Sequence, residues 1–430
     1  MPRGIYECIN CGHREALDSN EPLLEGACPK CGGDMILVGF EGETGGSASG
    51  EEQKRASQQT LGVEPFILPR ILPEEVRSII NSAYLLGEER IEGDVFVFRV
   101  REVRERNFER VLEELEKHGY WAALKRRNGE VFLYVFPAGE VKPDNRWLPW
   151  VFLIATIATT FMAGYLLSLN YISLLDEYHL PGIRNPYLNA LAFSISVMGI
   201  LGTHELGHKI AAAYHSVRAT MPYFIPFPSI LGTLGAVIRI KSPVPTRNAA
   251  IDLGVSGPLA GFLVALPVSI IGLKLSVSLP AGAIPPGQGG ITFGENLLFL
   301  LIGKYVVSFP SNGVVFLHPV AIAGWVGILV TFLNLIPAAQ LDGGHIARAF
   351  LSERAHRYMT IALAFLLMAM SYLWVGWMIW GLLILLMGMA GNPGALDEVS
   401  PVSKGRLLLA IIAVVLFVLS ATPAPLSASG

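Results

Sequence analysis

From residue 147 onward the chain is a succession of apolar runs, and this limits what it can fold into more than any other feature. The runs fall at about Leu148–Leu167, Ala190–Tyr214, Ala249–Leu275, Pro319–Pro337, Tyr358–Tyr372, Leu373–Met389 and Leu407–Ser420. Crossing the ~30 Å hydrocarbon of a bilayer takes about 20 apolar residues of helix, because no water is there to bond a free amide. Charge follows the same division: residues 147–430 hold 22 Asp, Glu, Lys and Arg, whereas residues 1–146 hold 45. Over the whole chain 52% of residues are hydrophobic and 16% charged, against about 25% charged in ordinary soluble domains. Disorder and a secreted disulfide scaffold are excluded for most of the chain. A net charge of −3 implies no bulk attraction to nucleic acid, so no direct nucleic-acid partner is expected. The pattern predicts a polytopic α-helical membrane protein of about 6–8 transmembrane helices over residues 147–420, preceded by soluble modules.

Basic residues orient the spans. Lys125, Arg126, Arg127, Lys142 and Arg146 precede the first run; Arg218, Arg239, Lys241 and Arg247 follow the second. Arg348, Arg354 and Arg357 follow the Pro319 run, and Lys404 and Arg406 precede the last. These signs agree on a multi-pass cell-membrane protein with a cytosolic N-terminus, provided that the weak apolar stretch Asn296–Phe309, which holds Lys304, does not cross. That stretch reads as re-entrant or superficial. Met1–Met35 has no apolar core segment, so no signal peptide is expected there.

The soluble third has three parts. Cys8, Cys11, Cys28 and Cys31 form two C-x2-C pairs, each followed by glycine. Four thiolates at this spacing suit tetrahedral zinc, so residues 1–40 read as a zinc ribbon with a structural Zn2+; a pair of redox-active dithiols is the alternative. Residues 41–62 are mostly Gly, Ser, Glu and Gln and read as a flexible linker. Residues 63–140 read as a small α+β domain. Pro73-Glu74-Glu75 opens a helix, Asp94–Arg101 is a strand, and Asn107 caps a helix whose apolar face is Phe108, Val111, Leu112 and Leu115. Asn128-Gly129 joins a hairpin. The domain carries no catalytic constellation; its Arg/Glu run reads as a solvated face or a recognition surface.

Chemistry concentrates in the second span, at Thr203-His204-Glu205-Leu206-Gly207-His208. H-E-x-x-H on a helix sets His204 and His208 one turn apart on one face, able to share a zinc, with Glu205 adjacent to accept a proton from the metal's water. Ionisable groups inside an apolar span are costly and mark function. Two histidines leave the metal short of a protein ligand. Asp342, the sole acid between Glu295 and Glu353, is the candidate third. Pro337 breaks the helix before it, and Gly343-Gly344 frees the backbone after it. Counting one return span and one further inward span brings Asp342 to the depth of His204, again only if residues 296–309 do not cross.

HELGH in one span and NLIPAAQLDGG in a later one resemble the site-2 protease family of intramembrane zinc metalloproteases. Roughly residues 65–390 are similar to its archaeal, cyanobacterial and plant-plastid branch, with the ribbon as an added module and the catalytic core at about residues 190–350. The resemblance implies His204, His208 and Asp342 as ligands of a catalytic Zn2+, Glu205 as acid/base, and Asn334 near the substrate. It departs at Gly261, where many members carry Asn. It implies hydrolysis of peptide bonds in or near transmembrane segments of single-span membrane proteins, some of them membrane-tethered regulators. A helical substrate must unwind to be cut. The strand-like segment around Gly235, Ala236, Val237 and Ile238 is a candidate to pair with it; a hairpin packed only on the enzyme is the equal alternative. Two other classes remain, an idle metal-binding scaffold and a zinc transporter. A transporter has no use for Glu205 beside the first histidine, so an intact Glu205 favours the enzyme.

Overall fold

The computed structural model describes residues 4–8, 13–17, 30, 35–40, 72–105, 107–139, 143–280, 291–307, 309 and 313–428. It divides into two compact units, Met1–Arg70 and Ile71–Gly430. In the first, β1 (Gly4–Cys8), β2 (Arg14–Leu17) and β3 (Met35–Phe40) form an antiparallel sheet in the order β2-β1-β3. Cys8 ends β1; Cys11, Cys28 and Cys31 and the linker lie outside the described residues.

The second unit opens with an α+β domain. Helices α1 (Glu74–Ala83) and α2 (Phe108–Lys117) accompany β4 (Tyr84–Glu92), β5 (Val95–Val103), β6 (Tyr120–Arg127) and β7 (Glu130–Pro137), in the antiparallel order β4-β5-β7-β6. Val76 and Ile80 of α1 and Val111 and Leu115 of α2 are buried with Phe96, Phe98, Leu133 and Val135 of the sheet. That is the apolar face the helical spacing predicts. Asn107 caps α2, its side chain accepting from the Arg110 amide at 3.3 Å. Asn128 (φ 51°) and Gly129 (φ 84°) adopt the left-handed pair a tight hairpin turn requires. Strand β4 is not announced by the sequence: Gly-Glu-Glu-Arg-Ile-Glu is charged and mostly exposed, as suits an edge strand.

Among the described residues, three helices are long and apolar enough to cross a membrane: α3 (Leu148–Glu177), α4 (Pro186–Tyr214) and α5 (Arg247–Leu275). At 1.5 Å per residue each rises more than about 40 Å, exceeding the hydrocarbon thickness. Large apolar side chains point outward along them, including Ile154 at 68% exposure, Ile195 at 62% and Leu263 at 62%. Such outward apolar faces suit lipid as the neighbour. The helix α3 continues past the apolar run to Glu177, and α4 starts earlier than its run, where Asn185 caps it and Pro186 takes the first helical position.

The remaining helices are shorter: α6 (Leu297–Ile302), α7 (Pro319–Asn334), α8 (Asp342–Phe350), α9 (Glu353–Ala369), α10 (Gly376–Met389) and α11 (Lys404–Ser420). With the wide turn Gly303–Val307 that extends it, α6 rises only about 16 Å. Strand β10 (Val277–Pro280) leaves α5, and β11 (Gly313–Phe316) leads into α7; the two pair antiparallel, Val277 opposite Phe316. The chain therefore returns to the end of α5 before α7 begins. Helix α7 is buried over most of its surface, with Trp325, Ile328 and Phe332 in the core.

The segment Leu396–Glu398 joins the α+β domain to this bundle. Leu124 of β6 donates to the Leu396 carbonyl (2.9 Å) and accepts from Glu398 (3.0 Å), while Leu396 and Asp397 donate to Val244 and Pro245 (both 2.9 Å). Arg348, 6% exposed, holds the same segment by donating to the Leu351, Asn392 and Pro393 carbonyls and pairing with Glu398. Arg348→Ala is expected to cost about 3–5 kcal/mol, since it strands those partners. Thermal unfolding in detergent, followed by tryptophan fluorescence, checks this; an unchanged Tm would contradict it.

Candidate metal centre

The HELGH turn lies on α4, where His204 (4% exposed) and Glu205 (5% exposed) are buried. The Nε2 atoms of His204 and His208 are 3.1 Å apart. Asp342 is the first residue of α8, and its Oδ2 lies 3.4 Å from His204 Nε2 and its Oδ1 3.4 Å from His208 Nε2. The turn that delivers it depends on its neighbours. Ala339 takes a left-handed φ of 50°, and a Cβ on Gly344 would come within 2.5 Å of the Ala338 carbonyl oxygen. Only glycine lets the backbone fold back that closely.

These three residues form the potential metal-binding group among the described residues, and their geometry fits zinc. Two ligands each ~2.05 Å from a tetrahedral centre are roughly 3.3 Å apart, which is the spacing seen here. Tautomer selection fits too. His208 Nδ1 lies 2.8 Å from the Leu253 carbonyl oxygen, so Nδ1 carries the proton and Nε2 turns a lone pair to the centre. Asn334, at the end of α7, reaches the same place, its Nδ2 3.3 Å from His204 Nε2.

The room for this arrangement is made by α5. A Cβ on Gly254 would meet the Asp342 carbonyl oxygen at 2.6 Å, and one on Gly261 would meet His204 Cβ at 3.1 Å. A Cβ on Gly257 would overlap the imidazole of His208 outright. Gly257 and Gly261 read from the sequence as a helix-packing face; the structure adds that what packs there is the metal-ligand pair.

Residues 192–374 match Peptidase family M50. The matched segment contains HELGH, Asn334 and Asp342. The chain is similar to two proteins of Arabidopsis thaliana. One is the probable chloroplastic zinc metalloprotease EGY1, 32% identical over 249 residues, covering 55% of this chain and 44% of that protein. The other is the probable chloroplastic zinc metalloprotease EGY2, 27% identical over 293 residues, covering 64% and 52%. The chain thus spans about half the length of these relatives. A superposition on the site-2 protease from Methanocaldococcus jannaschii has 17% identity and a TM-score of 0.29, covering 56% of this chain and 92% of that one; it is too loose to bear on the fold.

The candidate substrate strand lies near the candidate metal centre. Gly235, Ala236 and Val237 belong to β9 (Thr233–Val237), which pairs antiparallel with β8 (Tyr223–Pro226); Ile238 follows directly. Phe224 of β8 packs with Val197 and Leu201 of α4, just ahead of HELGH. The β8–β9 sheet has two strands among the described residues. Of the histidines outside the centre, His318 caps α7 and bonds Asn189 at 3.2 Å, a structural role. His215 and Asp252 prove to be paired with one another, at 2.9 Å. Neither that pairing nor the Leu253 carbonyl leaves a sequence signal, since each depends on which helix lies alongside.

Proposed function

We propose that this chain is an intramembrane zinc metalloendopeptidase that hydrolyses peptide bonds in or near transmembrane segments of single-span membrane proteins. The observation that carries this reading is the convergence of His204, His208 and Asp342 beside a buried Glu205 on a helix long enough to span a bilayer. The match of residues 192–374 to Peptidase family M50 and the names of the relatives support it. Zinc held by the three residues would supply Lewis acidity and a water acidified to a pKa of about 7. Glu205 takes the proton from the attacking water and returns it to the leaving amine. Asn334, whose Nδ2 lies 3.3 Å from His204 Nε2, donates its amide N–H to the carbonyl oxygen as negative charge develops. The Leu253 carbonyl keeps His208 in its ligating tautomer throughout.

The reading includes a multi-pass protein of a cell membrane with a cytosolic N-terminus. The metal centre lies toward the face carrying the α+β domain, and the Cys8–Cys31 ribbon with its own zinc serves folding or docking. The domain limits at residues 1–40, 41–62, 63–140 and 147–420 are part of the same proposal. The unwound substrate pairs with the outer edge of β9. Proline at Ala236 is then expected to slow cleavage at least ~10-fold by removing one ladder donor and its register, with zinc content unchanged; equal rates would exclude the strand. The proposal as a whole is tested in proteoliposomes holding a single-span substrate, with the cut mapped by mass spectrometry. A cut within or beside the span, absent from Asp342→Ala, supports it. Cleavage only in soluble regions, or undiminished in Asp342→Ala, rejects it.

A further inference from the structure

A second cluster of charge, outside the metal centre, lies at the end of the same helix. His215 follows directly on α4, two turns beyond His208, and is 5% exposed. Its Nδ1 lies 3.0 Å from Oε1 of Glu109, on α2 of the α+β domain, and its Nε2 lies 2.9 Å from Oδ2 of Asp252, on α5. Both ring nitrogens therefore face carboxylate oxygens, and both must donate, which makes His215 an imidazolium. Asp252 is held from its other side by Arg406 of α11, at 2.9 and 3.1 Å to Oδ2 and 3.2 Å to Oδ1. Glu109 accepts also from Thr246, the residue that caps α5, at 2.9 Å. The Tyr214 ring closes the cluster edge-on at 4.9 Å. Charges alternate along the row Glu109, His215, Asp252, Arg406, and each comes from a different element. An ion pair between Arg218 and Glu116, at 3.0 Å, flanks it on the same α2 face.

We infer that His215 is a positioning residue through which the α+β domain sets the end of the metal-bearing helix, so that docking of this domain governs the alignment of His204, Glu205 and His208. A paired row of charges centred on a buried imidazole has one good arrangement, and losing one member leaves its neighbours unpaired. The domain enters that row through Glu109 alone. The α+β domain, which carries no catalytic group, thus becomes the control element of the centre. The inference rests on the protease reading for its consequence, but not for its geometry.

Protonation follows from the same contacts. Burial alone would lower the His215 pKa, yet the hydrogen bonds and charges of Asp252 and Glu109 outweigh it and raise it from 6.5 to about 9. Burial likewise opposes ionisation of Glu109, and the bonds from His215 and Thr246 hold it below its ordinary value. Because the folded pKa of His215 is raised, its contribution is complete below about pH 6.5 and is lost as pH rises through about 9.

The test is amide hydrogen exchange, with zinc retention, on the full-length protein in lipid nanodiscs, comparing wild type, Glu109→Gln, His215→Gln and the double variant. Glu109→Gln, which alters only the α+β domain, is expected to speed exchange over residues 208–215 and zinc loss by about 10-fold, the usual scale for a charge-assisted bond. The double variant should be no worse than His215→Gln, because the two act through one contact. Wild type should lose protection of this turn between about pH 8 and pH 10, and His215→Gln should lack that transition. Should Glu109→Gln fail to fold, Glu109→Asp keeps the charge but shortens its reach to His215, and the same rise over residues 208–215 is expected. Faster exchange confined to α2, additive effects, or a pH transition that survives in His215→Gln would overturn the inference. If wild type proved unable to cleave any substrate, the protease reading would fall, while exchange and zinc retention would still decide this one.

Discussion

Glu205→Gln is expected to fold, to bind zinc as wild type does, and to lose cleavage by a factor of about 10²–10⁴, the range general acid–base catalysis supplies. The glutamine keeps the shape and much of the hydrogen bonding of a side chain that is only 5% exposed, so packing should survive. What it cannot do is take a proton and give it back. Rate measurement in proteoliposomes, beside metal analysis of the same preparation, separates the two. Loss of rate with zinc retained assigns Glu205 to the chemistry. Loss of both would make it a support of the metal site, and retention of both would remove it from the mechanism.

Gly257→Ala should also cost activity, from a position that has no side chain to touch the metal or the substrate. One methyl group at Gly257 would occupy the space of the His208 imidazole. The ring is fixed from behind by the Leu253 carbonyl at 2.8 Å, so it cannot swing away without giving up its tautomer or its metal. Zinc affinity is expected to fall at least ~10–100-fold, the range seen when a metal ligand's supporting contacts are disturbed, and cleavage should fall with it. Gly261→Ala, whose methyl would stand 3.1 Å from His204 Cβ, should be milder. Gly199→Ala on α4, where a Cβ meets nothing within 4 Å, should leave zinc binding intact and slightly favour the helix. Equal zinc affinity in all three would contradict the view that α5 is shaped around the ligands.

The parts of the site that were legible in the sequence are those where chemistry and environment disagree. His204, Glu205 and His208 stand out because charge inside an apolar run is costly, and Asp342 because no other acid is near it. Long apolar runs likewise declare α3, α4 and α5. The α2 cap at Asn107 and the Asn128-Gly129 turn were legible because both are local. The rest rests on contacts between distant segments. Gly257 looks like any packing glycine until α4 is laid against α5. His215 reads as an isolated histidine until Glu109 arrives from one domain and Asp252 from another helix. Strand β4 hides because an edge strand can be charged on most of its length, and the Leu253 carbonyl has no side chain to notice.

The central claim, that one zinc held by His204, His208 and Asp342 cuts a membrane-embedded peptide, is tested most directly by stripping and restoring the metal. Wild type and Asp342→Ala, each reconstituted with a single-span substrate, are depleted with a chelator and titrated with zinc. Wild type should stop cleaving on depletion and recover as zinc returns; Asp342→Ala should bind one zinc fewer and recover nothing. Cleavage that persists in metal-free wild type, or that zinc restores equally in Asp342→Ala, would contradict the account.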